Sequence, residues 1–372
     1  MTDTHVQTVL QFMERHAPKR FAVEGDPIGL QIGSVKKRTA KIMVTLDVLE
    51  PVVDEAIANG VDMIIAHHPL LFRPIKQLNT DTSYGRAVEK LIKHDVTVFA
   101  AHTNLDVADG GVNDMMANAL GIRDTKPLAP VTEDSLKKIA VFVPRNHADA
   151  VREALGQAGA GHIGDYSHCS FSTDGKGAFV PGSGANPYIG SKGSMERPEE
   201  ERIETVFPAS IERNVIRAML DAHPYEEAAY DIYSLENPGK TYGLGRIGKL
   251  DETITLREFT ERVKQAFGVN GLRVVGDLDK KVKKAAVLGG DGNKYTMHAL
   301  REGADVYVTG DLYFHVAHDA WMEGLAMIDP GHHVEQIMKK ELAEQLQSWL
   351  EEQKSSTEVI ISEINTDPFQ FL

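Results

Sequence analysis

Short, continuous apolar runs alternate with amphipathic helical segments at both ends of this 372-residue chain. The runs are KIMVTLDV (41–48), VDMIIAHH (61–68), VTVFAAHTNLD (96–106), KAAVLGG (284–290), DVYVTGD (305–311) and AMIDPGHH (326–333). Between them lie segments such as PVVDEAIANG and YTMHALREGA, which combine helical apolar spacing with a glycine stop. Continuous apolar strands that alternate with helices predict an α/β fold with a largely parallel sheet.

The middle of the chain follows a different order. Its segments are strand KKIAVFVP, a helix at about 147–156, strand DYSHCSFST, strand RIETVFP, helix SIERNVIRAMLDAH and strand AAYDIYSL. The order βαββαβ predicts a ferredoxin-like domain. Residues 175–201 are rich in Gly, Pro and Ser without an apolar period, which indicates a flexible or binding loop. We therefore predict an α/β core of residues 1–126 and 238–372, interrupted by an inserted ferredoxin-like domain at 127–237.

Composition excludes several classes of function. The formal net charge of −14 argues against nucleic acid as the main partner, because phosphate binding needs a concentrated basic surface. Cys169 is the single cysteine, which rules out an internal disulfide and a cysteine-rich zinc site. No stretch approaches the ~18 apolar residues of a membrane span, and the N-terminus lacks a secretory pattern. A cytoplasmic location is expected.

Histidines and carboxylates follow four of the apolar runs where each strand is expected to end. They are His67 and His68, then His102, Asn104 and Asp106, then Asp311, His315 and His318, then His332, His333 and Glu335. In an open parallel sheet the loops after different strands converge at one edge. Because buried polar groups destabilise a fold unless they are paired, a shared metal centre is the interpretation that pairs them all.

Imidazole and carboxylate ligands suit Zn, Fe, Mn or Co. His67 and His68 are adjacent, so on an extended strand they would point to opposite faces, whereas at a turn they can serve two neighbouring ions. Asp106 has two carboxylate oxygens and could bridge ions ~3.5–4 Å apart, as in two-metal hydrolases.

The last run leads into a helix that is expected to begin after Gly331. On that helix His332 and Glu335 are i and i+3 and share a face, whereas His333 and Glu335 diverge. We therefore select His332 and Glu335 as ligands and expect His333 to be exposed or to support a ligand.

Three other features allow two interpretations each. The Gly-rich stretch AVLGGDGNKY (286–295) favours a tight turn over a substrate-phosphate contact. Asp47 and Asp311 follow strands, so each is a surface carboxylate, a support for a ligand or a base. In HPYEEAAYD, Glu226 and Glu227 favour a polar turn over a small-molecule site.

Several segments together resemble the GTP cyclohydrolase 1 type 2 homologue family, the YqfO/YbgI type of dinuclear-metal proteins. They are EGDPIGLQIG (24–33), IIAHHPLLF (64–72), AAHTNLDVADGGVND (100–114), YVTGDLYFHVAHDA (307–320) and DPGHHVEQ (329–336). HPYEEAAYDIYSL (223–235) resembles the end of the inserted domain, of PII/CutA-like type, in the longer members.

The resemblance implies a set of site residues. The family's metal ligands fall on His67, His68, Asp106, His332 and Glu335. His102 and His318 match further polar positions of the family's cleft, and we expect them to be catalytic proton shuttles. The resemblance also implies two divalent ions per subunit (Zn, Fe or Mn), a toroidal homohexamer and GTP-directed hydrolysis.

Two functions are compatible with these features. The first is a metal-dependent hydrolase that acts on a nucleotide or a related small molecule. The second is a non-catalytic metal-binding or regulatory oligomer whose inserted domain senses a small molecule. A metal ion that keeps a coordination position open to water favours the enzyme, whereas an ion whose positions are all filled by protein ligands favours the structural role.

Overall fold

The computed structural model describes residues 2–371, and the chain falls into two compact units. One unit combines Met1–Thr132 with Tyr242–Leu372, and the other is Glu133–Thr241. The predicted α/β class is confirmed, although the strands of residues 2–371 form two mixed and two antiparallel sheets rather than one largely parallel sheet. Within residues 2–371, no helix has the length and apolar character that crossing a membrane requires.

The elements of the first part of the chain are β1 (Thr4–His5), α1 (Val6–His16), β2 (Gly29–Ile32), β3 (Arg38–Thr39), β4 (Lys41–Thr45), α2 (Glu50–Ala58), β5 (Met63–Ala66), α3 (Ser83–Lys93), β6 (Thr97–Ala100), α4 (Thr103–Val107), α5 (Val112–Ala119) and β7 (Ile122–Asp134). Those of the middle are β8 (Leu136–Pro144), α6 (Ala148–Gln157), β9 (Phe171–Lys176), β10 (Glu199–Pro208), α7 (Glu212–Ala222) and β11 (Tyr230–Ser234). Those of the last part are β12 (Lys240–Thr255), α8 (Leu256–Phe267), β13 (Arg273–Val275), β14 (Lys281–Asp291), α9 (Thr296–Arg301), β15 (Val306–Gly310), α10 (Phe314–Met322), β16 (Ala326–Asp329), α11 (Met338–Glu352) and β17 (Glu358–Ile361).

A five-stranded sheet in the order β17-β4-β5-β6-β2 lies in the first unit. β17, β4, β5 and β6 run parallel, and β2 is antiparallel to β6 at one edge. Along β4, Ile42 and Val44 pack into one apolar core while Met43 packs into a second core on the opposite face. Both faces of the sheet are therefore covered, which is why its strands read as unbroken apolar runs.

The second sheet of this unit has the order β13-β16-β15-β14-β12-β7. β14, β15 and β16 are parallel at its centre, and β12 and β13 are antiparallel to their neighbours. Tyr307 on β15 is fully buried and its hydroxyl donates to the carbonyl of Gly292 at 3.0 Å. This bond satisfies the one polar group that the tyrosine brings into the core.

The Glu133–Thr241 unit is built on an antiparallel sheet in the order β11-β8-β10-β9. Residues of α6 and α7, among them Val151 and Met219, pack with Ile139 and Val141 of β8 in a single core. The strand predicted at DYSHCSFST is displaced, since β9 begins only at Phe171. His168 has a φ of +58°, which is incompatible with an extended strand, so the preceding residues form a turn instead.

Candidate metal centre

Parallel strands of the five-stranded sheet end at a common edge, and polar residues follow them there. Thr45 pairs with Ala66, and Ala66 pairs with Ala100, so β4, β5 and β6 end side by side. His67 and His68 follow β5 directly, and His102 follows β6. The shared direction of the strands thus places three imidazoles at neighbouring strand ends.

The parallel centre of the six-stranded sheet contributes the remaining groups. Asp311 comes directly after β15, with a φ of +54° in the left-handed region. After β16, a 3₁₀ helix spans His332–Ile337 where an α-helix was predicted. Residues i and i+3 eclipse each other in a 3₁₀ helix, so His332 and Glu335 still share a face. His332 Nε2 lies 3.3 Å from Glu335 Oε2.

Six of the side chains selected from the sequence meet in one cluster. His68 Nε2 lies 3.0 Å from Glu335 Oε2, and His67 Nε2 lies 3.7 Å from both Glu335 Oε2 and Asp106 Oδ1. Three overlapping groups have all their ligand atoms within 4.8 Å of one another: His67, His68 and His102; His68, His332 and Glu335; and His67, Asp106 and Glu335. His67, Asp106 and Glu335 are buried.

Each imidazole of the cluster is held from outside through its Nδ1 atom. The four bonds are His67 Nδ1 to the Ala101 carbonyl at 2.8 Å, His68 Nδ1 to Asp47 Oδ1 at 2.7 Å, His102 Nδ1 to Asp26 Oδ1 at 2.9 Å and His332 Nδ1 to Asp311 Oδ2 at 2.7 Å. Because an oxygen accepts at every Nδ1, every Nε2 remains for the cluster. Histidines that ligate metals carry this kind of outer hydrogen bond, which fixes the tautomer and the ring orientation.

Two atoms of the cluster lack the hydrogen bonds that buried polar atoms normally make. Among the described residues, neither His67 Nε2 nor Asp106 Oδ1 has a partner, although both are buried. Leaving such lone pairs unpaired is unfavourable, and a cation between them would satisfy both. A donor set of imidazole nitrogens and carboxylate oxygens fits Zn, Fe or Mn, so the residues fit a metal centre.

Charge in the cluster shifts the protonation equilibria of its members. Burial lowers the pKa of His68, but hydrogen bonds to Asp47 and Glu335 outweigh it and raise that pKa to about 10. The hydrogen bond to Glu335 raises the pKa of His332 to about 9. Burial raises the pKa of Asp106 to about 6. The cluster therefore attracts positive charge, and protons and metal ions compete for the same nitrogens.

The Gly-rich turn at the end of β14 lies against the candidate ligands. A Cβ placed on Gly290 would be 2.9 Å from Glu335 Oε1 and 3.2 Å from His332 Nε2. Gly290 also has a φ of +65°, a conformation that favours glycine. The sequence explained these glycines by a tight turn, and the close approach of the backbone to Glu335 is a second reason why a side chain is disfavoured there. The substrate-phosphate contact stays the less favoured alternative.

The remaining selected residues divide into those near the cluster and those outside it. Asp47 and Asp311 accept from His68 and His332, which matches the supporting role considered for them. His318 is exposed on α10, with its ring 4.4 Å from that of Phe314, and within residues 2–371 no candidate ligand group includes it. Its catalytic role stays a prediction.

Asp26 contacts the cluster through His102, and the sequence reasoning did not select it. Its Oδ1 accepts from His102 and its Oδ2 accepts from the Thr103 backbone N–H at 3.1 Å. Asp26 precedes β2, which is antiparallel to β6, so it lies where β6 ends. The apolar pattern gave no signal for it, because β2 is short and half exposed.

Comparison with known proteins places this geometry in a family. The model of the Duf34/NIF3 (NGG1p interacting factor 3) family matches residues 4–368. A protein of Halalkalibacterium halodurans named "GTP cyclohydrolase 1 type 2 homolog" is 56% identical over 366 residues, covering 98% of each chain. A protein of the same name from Bacillus subtilis is 57% identical over 366 residues, with 98% of each chain covered.

Solved structures agree with the sequence relatives. A Bacillus cereus protein related to NIF3 superposes with a TM-score of 0.95 at 54% identity, over 100% of both chains. A Staphylococcus aureus protein superposes with a TM-score of 0.78 at 31% identity, again over 100% of both chains. The family match and the identities of these relatives establish that this chain belongs to the Duf34/NIF3 family.

Proposed function

We propose that this protein is a metal-dependent hydrolase with two divalent ions per subunit, which acts on a nucleotide or a related small molecule. One observation carries the proposal: four imidazoles are fixed at Nδ1 from outside, so that their Nε2 atoms converge with Asp106 and Glu335. Two atoms of this cluster, His67 Nε2 and Asp106 Oδ1, are buried without a hydrogen bond to any described residue, which is unfavourable unless a cation pairs them.

The overlapping groups suggest how the ligands divide between the ions. His68, His332 and Glu335 would hold one ion, and His67, Asp106 and Glu335 would hold the other. Glu335 belongs to both groups and would serve both ions, whereas Asp106, the bridge expected from the sequence, belongs to one of them. Of the metals expected there, Zn, Fe and Mn all accept these ligands.

When bound, such ions act as Lewis acids toward a substrate oxygen and lower the pKa of water. The protein's own residues orient and transfer protons. His102, held at Nδ1 by Asp26, keeps its Nε2 available to accept or return a proton. Asp47 holds the ring of His68 in place from the outer side. The relatives' name, which refers to GTP, supports a nucleotide as the class of substrate.

Metal analysis of anaerobically purified protein tests the centre. We expect about two transition-metal ions per chain, a loss of metal in His68→Ala and unchanged metal in His318→Ala, which removes an exposed histidine outside the cluster. A screen of phosphatase, nuclease and cyclohydrolase substrates follows on the same preparation. Less than one ion per chain, with no change in His68→Ala, would overturn the proposal.

A regulatory protein with structural metal is the second candidate. It is favoured by the separate Glu133–Thr241 unit, which contains a cavity of its own. Asp106→Ala distinguishes the two candidates. Loss of turnover with the oligomer retained supports the hydrolase, whereas dissociation of the oligomer supports a structural metal.

Three further parts of the proposal concern architecture and setting. The Glu133–Thr241 unit would be the inserted ferredoxin-like domain, which its element order and its sheet order β11-β8-β10-β9 support. The assembly would be a homohexamer, which sedimentation velocity of the full chain measures. The protein would be cytoplasmic and would bind a small-molecule substrate rather than nucleic acid or a membrane, consistent with a net charge of −14.

A further inference from the structure

The Glu133–Thr241 unit contains a cavity of about 730 Å³. It is bounded by the strands β9 and β10, by the loop at 177–189 and by the turn at 225–229. Pockets that bind small organic molecules span roughly 300–1,000 Å³. The cavity therefore has the size of a small-molecule site, and it involves none of the candidate metal ligands.

Aromatic side chains form much of the cavity wall. The ring centroids of Phe179 and Tyr225 are 5.9 Å apart, and those of Tyr188 and Tyr225 are 6.3 Å apart. Phe142 also lines the cavity. Tyr188 is 51% exposed although it lies in this wall. Exposed aromatic faces around a concavity suit a flat ring, which gains contact area with several of them at once.

A buried carboxylate gives the cavity its polarity. Glu200 is 8% exposed, and its Oε1 accepts from the Tyr225 hydroxyl at 3.0 Å. No lysine, arginine or histidine of the described residues forms an ion pair with Glu200 or with Glu227, which also lines the cavity. A carboxylate can accept several hydrogen bonds, so Glu200 retains capacity for a donor inside the cavity.

Each cation that lines the cavity already has a carboxylate partner. Arg202 pairs with Glu204 at 2.8 Å and stacks over the ring of Phe142, although its buried Nε makes no hydrogen bond within the described residues, and Lys176 pairs with Glu199 at 3.2 Å. The carboxylates that line the cavity (Asp174, Glu200, Glu226 and Glu227) outnumber these two cations, which favours a cationic ligand over an anionic one. The uncompensated charge of the cavity is therefore negative.

We propose that this cavity binds a small aromatic molecule with a protonated amine or an N–H-rich edge. The ring would lie among Phe179, Tyr188 and Tyr225, and the positive edge would donate to Glu200. Phosphorylated or carboxylated ligands would be disfavoured by the same carboxylate. The site is independent of the metal centre and would hold whether or not the protein is a hydrolase.

Two indole compounds of opposite charge test this on the full-length protein. Tryptamine carries an ammonium group, and indole-3-acetate carries a carboxylate on the same ring. We expect saturation-transfer NMR and calorimetry to detect tryptamine binding, with indole-3-acetate roughly tenfold weaker or more. Glu200→Gln keeps an acceptor for Tyr225 but removes the charge, so tryptamine affinity should fall by roughly tenfold.

The control is Asp165→Asn, which removes an exposed carboxylate of the same unit that does not line the cavity, and it should leave tryptamine binding unchanged. Tyr188→Ala removes part of the aromatic wall at a half-exposed position, together with the hydrogen bond between its hydroxyl and His147 Nε2, and it should weaken tryptamine binding. Equal binding of the two compounds, no binding of either, or tryptamine binding unaffected by both Glu200→Gln and Tyr188→Ala would overturn the proposal. So would loss of self-association in Tyr188→Ala with no binding of either compound, since a second copy of the chain would then fill the cavity.

Discussion

Gly290→Ala should weaken metal binding at the proposed centre although it substitutes none of the candidate ligands. Gly290 has a φ of +65°, so an alanine there costs about 1–2 kcal/mol of stability from backbone strain alone. In addition, the new Cβ would be 2.9 Å from Glu335 Oε1 and 3.2 Å from His332 Nε2. Either ligand must then shift by a few tenths of an ångström. Displacing ligands through their supports typically lowers metal affinity by about 10–100-fold.

Gly60→Ala is the matched control for this substitution. Gly60 has nearly the same φ, +66°, but a Cβ there would meet nothing within 4 Å. The two variants therefore share the backbone strain, and only Gly290→Ala adds the contact with the ligands. Thermal unfolding of the metal-free proteins should show similar losses from strain, with an added loss for Gly290→Ala.

Calorimetric titration of the metal-free variants with Zn²⁺ measures the effect on the site. We expect wild-type affinity in Gly60→Ala and an affinity about 10–100-fold lower in Gly290→Ala. If both variants bind Zn²⁺ as tightly as the wild type, the close approach of this backbone to Glu335 and His332 has no role in holding the ion, and the reasoning is refuted.

Three other substitutions test the fold. Asp114→Ala removes the carboxylate to which the buried Arg246 donates from Nε and Nη2 at 2.6 and 2.9 Å. Urea unfolding should show a free energy of unfolding lower by about 3 kcal/mol. A loss near zero would show that other groups compensate the charge of Arg246. Tyr307→Phe removes one of two hydrogen bonds that the Gly292 carbonyl accepts, the other coming from the Tyr295 N–H at 2.9 Å, and should cost about 0.5–1.5 kcal/mol in the same assay. An unchanged midpoint would argue against the bond. Burial lowers the pKa of His223 below its ordinary value of 6.5, and its Nδ1 accepts from a backbone N–H, so only the unfolded chain readily takes up a proton there. Its contribution to stability is full above pH 6.5 and is lost as the pH falls through the lowered pKa, and thermal unfolding of His223→Gln should show a weaker loss on acidification than the wild type.

The apolar runs predicted the central strands because burial on both faces leaves an unbroken signal. β4, β5, β6, β15 and β16 all lie within the predicted runs. The runs do not state which strands are neighbours, so the division into two sheets was not predictable. Edge strands such as β13 are short and partly exposed, and their pattern does not differ from that of a loop.

The cluster was largely predictable because strand direction gathers residues that are distant in the chain. His67, His102 and Glu335 were selected from the ends of runs, and the structure brings them together. Asp26 was not selected, because its position depends on an antiparallel pairing that no local pattern encodes. His318 also follows β15 in sequence, but it lies on α10 with an exposed side chain, and the ligand groups found among the described residues do not include it.

The cluster draws its ligands from both ends of the chain, and this limits when an ion can be captured during biosynthesis. His68 and Glu335 are separated by 267 positions. At 5–20 residues per second, the ribosome needs roughly 13–50 s to pass from one to the other. During that interval the nascent chain contains His67, His68, His102 and Asp106 but lacks His332 and Glu335. The full set of proposed ligands therefore exists only after translation of almost the entire polypeptide, so the proposed centre would take up its ions on finished chains rather than on emerging ones.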